Sequence, residues 1–217
     1  MGRFLQVDPK GYQDSLNLYQ GFGMNPVNFL DPFGEELRPI KLFMSGRRRG
    51  TAITFSYPHP DNNFYKVPTY NLNVSGTDDS GHFISKDFEV LRFGVRKRSI
   101  NDPPKVVGIY DYRKKIINKW FPDYRLHSSN SGENGAWIVT GNFLIHDGPD
   151  DPMNDLMATI GCIEICGPMG FSAFNDLLIS LSGADAPTRQ GKLFQIAHSG
   201  KLEIEYEATT IPPLIIY

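Results

Sequence analysis

From Tyr70 onward apolar residues recur with the period of an extended chain, and this alternation constrains the fold more than any other feature. Tyr70, Leu72 and Val74 take every second position, a turn-rich stretch from Gly76 to Gly81 follows, and Phe88 and Val90 resume the pattern before an irregularity ahead of Phe93 and Val95. Further strands are expected over 106–110, 136–146, 193–197, 202–206 and 214–217. One segment has helical spacing instead. Phe171, Phe174, Leu178 and Leu181 line one helix face, and Gly183 stands just beyond as a stop signal. The expected body, 69–217, is mainly β with one main helix. It carries no internal repeat and no low-complexity tract.

Residues 1–34 read differently. Asp8-Pro9, Asn25-Pro26, Asp31-Pro32 and glycines at 2, 11, 21, 23 and 34 are turn formers too dense for a helix. The short aromatic runs between them suit strands that pack on something larger, because so short a segment cannot bury a core of its own. Residues 35–68 have weak periodicity and carry Pro58, Pro60 and Pro68, so a linker with one or two strands, such as 52–57, is expected. Within it, Arg47 to Arg49 reads as a solvated charge run rather than a phosphate site.

The totals narrow the function. With 40% hydrophobic and 21% charged residues in 217, the chain has the composition of an ordinary globular protein. Lys plus Arg number 22 against 24 Asp plus Glu, a net charge of -2 without the basic footprint of a nucleic-acid binder. No long apolar run and no leader pattern occurs, so neither membrane insertion nor export by a signal peptide is expected. Cys162 and Cys166 are too few for a disulfide framework, and on an extended strand they would lie about 13 Å apart, beyond disulfide reach. Both are expected as free thiols.

The stretch with chemical promise is GNFLIHDGPDDPMNDLMATIGCIEICG, Gly141 to Gly167. An apolar strand, Phe143-Leu144-Ile145, delivers His146 to its end, and the chain turns through Asp147-Gly148-Pro149. Gly161 then precedes Cys162 and the β-branched run Ile163-Glu164-Ile165. A free thiol is mostly protonated at neutral pH, so a nucleophilic cysteine needs a neighbouring imidazole. Glycine before it permits an unusual φ and leaves room beside the sulfur. Backbone amides near Cys162 would stabilise an oxyanion. The plainer alternative is a buried Cys162 acting as a small hydrophobe, with His146 hydrogen-bonded as a structural residue. Zinc bound by Cys162, Cys166 and a histidine fits structural-site spacing poorly, and Asp147, Asp150, Asp151 and Asp155 lack the ligand order of a calcium loop. No metal and no cofactor is expected.

Two resemblances add to this reading. Gly2 to Gly34, with its GRF, DP, NLY, NP and DP-x-G elements, resembles the end of the Rhs/YD-repeat core of polymorphic toxins. In that family the core forms a β-shell around a toxic carboxy-terminal segment, and aspartates at the positions of Asp8 and Asp31 would release it. Glu35 stands where the family usually has Leu. The second resemblance runs through Tyr70 to Leu181, on FLIHDGP and Thr159-Ile160-Gly161-Cys162-Ile163, and is to L,D-transpeptidases of the YkuD type. Their motif is a histidine, a stretch of similar length, then Ser or Thr, His, Gly, Cys and an aliphatic residue. Ile160 replaces the second histidine and Glu164 replaces an Arg or Asn.

That resemblance implies an L,D-transpeptidase-like β-sandwich or barrel. Cys162 would be the nucleophile and His146 its base, with Gly161, Thr159 and Ile163 shaping the turn and supporting the oxyanion, and Asp147, Gly148 and Glu164 near the substrate. The implied substrate is the peptidoglycan stem peptide, cut or cross-linked by transpeptidation, D-amino-acid exchange or carboxypeptidase action. Together the two resemblances imply an antibacterial effector packed in an Rhs shell, delivered by a secretion system to the target-cell periplasm, with a cognate immunity protein as partner. A Cys-His protease or deamidase toxin with a protein target, and a non-enzymatic carboxy-terminal domain, are the competing readings.

Overall fold

The computed structural model describes residues 37–125, 133–141 and 143–217. The first strands are β1 (Ile40–Phe55), β2 (Tyr57–Pro58), β3 (Phe64–Thr77), β4 (Phe83–Leu91), β5 (Phe93–Lys97), β6 (Lys105–Gly108), β7 (Arg113–Ile116) and β8 (Trp120–Phe121). There follow β9 (Ala136–Thr140), β10 (Phe143–Asp147), β11 (Met157–Ala158) and β12 (Ile163–Ile165). Helices α1 (Gly170–Ser182) and α2 (Arg189–Ser199) and strands β13 (Leu202–Tyr206) and β14 (Ile215–Ile216) complete the order.

The described strands form a mixed eleven-stranded sheet, ordered β7-β13-β1-β3-β4-β12-β10-β9-β8 with β11 added to β1 and β14 to β3, and a small sheet, β2-β5-β6. The chain is therefore mainly β, as the alternation predicts. It is not a barrel: the order runs from β7 to β8 without closing. Tyr70, Leu72 and Val74 of β3 are fully buried and share the main core with Phe171, Phe174, Leu178 and Leu181 of α1. Burying each such side chain contributes about 1.5–3 kcal/mol. The irregularity before Phe93 has a topological cause, because at Arg92 the chain leaves the large sheet and β5 joins the small one. Arg92 is itself buried. It donates to the carbonyls of Ile109, Ser45 and Glu207 at 2.7, 2.9 and 2.7 Å, and the rings of Tyr70, Phe93 and Tyr206 surround its guanidinium.

Two expectations are corrected. The expected linker, 35–68, supplies β1 and the start of β3 to the large sheet, so the boundary at residue 69 falls inside a strand. Ile40, Leu42 and Met44 alternate into the core, but the register shifts between Met44 and Arg48 and again between Arg48 and Thr51, which breaks the period in the sequence. Arg47 to Arg49 are exposed there, solvated as expected but mid-strand.

A second helix is the other correction, since α2 takes in 193–197, read above as a strand. Thr188 caps it, accepting from Gly191 N at 3.0 Å, and Gly200 ends it in the left-handed conformation. Only Leu193, Ile196 and Ala197 face the core, so its apolar face is too narrow to dominate the pattern. Arg189 fastens α2 with a bidentate pair to Glu133 at 2.6 and 2.8 Å, and Glu133 also accepts from Asn175 of α1.

Candidate active site

Strands β10 and β12 run side by side and parallel, with Ile145 opposite Ile163, His146 opposite Glu164 and Asp147 opposite Ile165. A parallel pair requires a crossover, and here it is the 148–162 segment, which lays β11 beside β1 before returning. Ile145, Ile163 and Ile165 point into the main core under α1, whereas Cys166 lies in a second apolar cluster with Leu91 and Val95. Alternation therefore puts Cys162, Glu164 and Cys166 on one face and the two isoleucines on the other. Cys162 stands one residue before β12, so the register carried back by one places it beside Leu144, two positions along β10 from His146.

Each side chain is held from behind. His146 is 1% exposed and its Nδ1 lies 2.7 Å from the carbonyl oxygen of Asp147, which can only accept, so Nδ1 carries the proton and Nε2 is the basic nitrogen. Thr159 is strapped through its backbone: its N donates to Thr54 Oγ1 at 3.2 Å and its carbonyl accepts from Val95 N at 2.9 Å. Gly161 follows at φ +90°, and a Cβ there would stand 2.6 Å from Val107 O. Only glycine fits that turn. Gly148 is needed for a close approach as well, since its Cβ would lie 2.9 Å from Glu164 Cβ. Ile163 reaches the site through its backbone alone, its side chain being core.

Cys162 is 4% exposed, and burial pushes its thiol up to about 12, with Glu164 adding to the rise and the Leu144 backbone opposing it. The resting group is a thiol. Burial also raises Glu164 to about 8, Asp147 adding to the rise, so its carboxyl is largely neutral at pH 7. The Thr159 hydroxyl lies near enough to favour ionisation, yet Glu164 Oε2 and Thr159 Oγ1 have no aligned hydrogen-bond partner among the described residues. The Tyr124 ring stacks at 5.0 Å from His146 in a tilted arrangement, and its phenol is raised by burial and by the proximity of Cys162 and Glu164. Sequence reasoning missed Tyr124, which lies in an irregular segment with no periodic signal.

The remaining expected residues lie elsewhere. Asp8 and Asp31 fall outside the described residues. Cys162 and Cys166 form no disulfide and are both buried. In the acidic loop Asp151 accepts from Met153 N and Asn154 Nδ2, and Asp155 from Asp151 N. Among the described residues no three His, Cys, Asp or Glu side chains are grouped to hold a metal, and no helix is long and apolar enough to cross a membrane. Set against known families, characterised proteins and solved structures, the chain matches none.

Proposed function

We propose that the chain is a cysteine acyltransferase of L,D-transpeptidase type, acting on peptidoglycan stem peptides as the toxic end of an Rhs effector. One observation carries the reading: Cys162 leads directly into β12, which runs parallel and next to the β10 strand that carries His146, and the Asp147 carbonyl leaves Nε2 of His146 as the basic nitrogen. Because the thiol is protonated at rest, the first step is general-base attack rather than reaction of a preformed thiolate. His146 Nε2 takes the Cys162 proton as Sγ bonds to the carbonyl carbon of the amide after an L-centre. The C–N bond then breaks, and the proton passes to the departing D-amino acid. An amine attacking the resulting thioester gives cross-linking or exchange, and water gives carboxypeptidase action. Ile160 and Glu164, where the motif has a histidine and a cation or amide, leave Tyr124 and a neutral carboxyl around the imidazole.

The biological setting follows from the resemblances: an Rhs shell, a secretion system that delivers the toxin to the target-cell periplasm, and a cognate immunity protein. The burial of Cys162 favours a second reading, a structural domain without chemistry. Purified muropeptides incubated with wild type and Cys162→Ala, followed by mass analysis, decide between them. Loss of D-amino acids or new cross-links with wild type alone is the expected result. Unchanged muropeptides together with a Cys162 thiol that resists alkylation in the folded state would leave the structural reading.

A further inference from the structure

The turn carrying Cys162 is docked on the β5–β6 hairpin: Val95 N donates to Thr159 O at 2.9 Å, and Gly161 packs against the Val107 backbone. That hairpin concentrates positive charge. Arg96 and Lys105 are direct cross-strand partners, an arrangement in which like charges repel. With Arg98 they line an open depression whose one described carboxylate is Asp102. Arg96 also borders a second cleft of about 300 Å³, which runs past Arg113 and Phe143 to Ile160, two residues from Cys162. Arg113 is engaged by Asp111 at 2.9 Å, whereas Arg96, Arg98 and Lys105 form no ion pair among the described residues.

A cluster of this kind is relieved by an anion, and a guanidinium beside apolar walls suits a carboxylate on an aliphatic stem. We infer that Arg96, backed by Lys105 and Arg98, forms an anion subsite beside the Cys162 turn that takes a free carboxylate of the acyl substrate. The identity of that substrate rests on the acyl-transfer reading; the subsite itself rests on the hairpin. Peptides amidated at that carboxylate bind less well.

The test uses the full chain. Glutarate and inorganic phosphate are each titrated into wild type, Arg96→Lys and Arg96→Gln/Lys105→Gln while the arginine Nε–Hε NMR signals are followed, with circular dichroism to check folding. Saturable glutarate shifts are expected in wild type and Arg96→Lys, weakened roughly tenfold or more in the double variant. Saturation by phosphate alone would overturn the carboxylate assignment, and saturation by neither anion would overturn the subsite. Alkylation of Cys162 by iodoacetate against iodoacetamide then links the subsite to the sulfur. The expected preference for the anionic reagent falls roughly tenfold in the double variant. An identical ratio in both proteins would show that the subsite does not serve Cys162. If glutarate binds but Cys162 reacts with neither reagent, the acyl-transfer reading fails while the anion site stands.

Discussion

Glu164 stands directly opposite His146 in the parallel β10–β12 ladder, and each side chain is only 1% exposed. The carboxyl is raised by burial from 4.5 to about 8, so the folded chain holds a proton at pH values where the unfolded chain has released it. The stabilisation tied to that proton is complete below the unfolded value and is lost as pH rises through about 8. Glu164→Gln keeps the shape and removes the titration. Urea denaturation between about pH 5 and about pH 8 is expected to give a stability that declines in wild type and is flatter in the variant. Equal slopes would mean that Glu164 ionises normally in the fold.

The two thiols differ in surroundings although four residues apart. Cys162 leads into the strand beside that of His146, while Cys166 packs with Leu91 and Val95 in the second apolar cluster. Cys162→Ala and His146→Ala are expected to lower turnover by roughly 10⁴-fold or more, as nucleophile and base removals do. Cys166→Ala keeps activity and loses only packing stability, about 1 kcal/mol. Circular dichroism alongside a muropeptide assay checks all three. Full turnover in folded Cys162→Ala would end the nucleophile assignment, and loss of turnover in Cys166→Ala alone would mean that the thiols act together.

Gly161 supplies the backbone shape that brings Cys162 to the strand end. Gly161→Ala places a Cβ 2.6 Å from Val107 O at φ +90°, so both strain and collision push the turn off the β5–β6 hairpin. The expected outcome is a destabilisation of about 1–3 kcal/mol by denaturant titration, together with loss of Cys162-dependent turnover. A variant as stable and active as wild type would show that this turn is not held as described.

Arg92 carries a structural prediction. Its guanidinium satisfies three carbonyls from separate segments, so Arg92→Met leaves the buried Ile109 acceptor unpaired and the part-buried Ser45 and Glu207 acceptors without their donor. With about 1–3 kcal/mol for the one fully buried acceptor and less for the two part-buried ones, a loss of about 2 kcal/mol or more is expected, visible as a lowered Tm. Arg92→Lys recovers only part, because an ammonium lacks the planar fork. Unchanged stability in Arg92→Met would mean that water replaces the guanidinium without penalty.

What could be read in the sequence follows from how locally each feature is encoded. β3 was legible because Tyr70, Leu72 and Val74 bury one face without interruption, and α1 because four large apolar residues share a stripe. Of β1 only the end, within the expected 52–57 strand, was legible, since the register shifts around Arg48 destroy the period over which the whole would be recognised. α2 was hidden by its polar first turn and by Gly191. His146 and Cys162 were each visible as strand-end residues, but their adjacency depends on a parallel crossover through β11, a long-range pairing that no local pattern records. For the same reason the sequence places Glu164 near the substrate only through the resemblance, and its position facing His146 was out of reach. Tyr124 and the Arg96–Lys105 pair are likewise products of tertiary contact.

The last prediction concerns compartment and follows from the proposed substrate. Stem peptides with an L-to-D amide bond are displayed outside the cytoplasmic membrane, so an enzyme specific for them meets little substrate where it is made. Wild type and Cys162→Ala are expressed in a susceptible bacterium with and without an added export signal, and cell shape, lysis and muropeptide lengths are followed. Swelling or rounding is expected only for exported wild type, together with shortened or exchanged stem peptides in the wall. The exported Cys162→Ala protein controls for the burden of secretion, and the unexported wild type for intracellular chemistry. Strong Cys162-dependent killing without export, with unchanged muropeptides, would refute the cell-wall substrate while keeping the nucleophile. The same buried Cys-His pair would then belong to a protease or deamidase with a cytoplasmic protein target, and the anion subsite on β5–β6 would be reassigned to an acidic side chain of that protein.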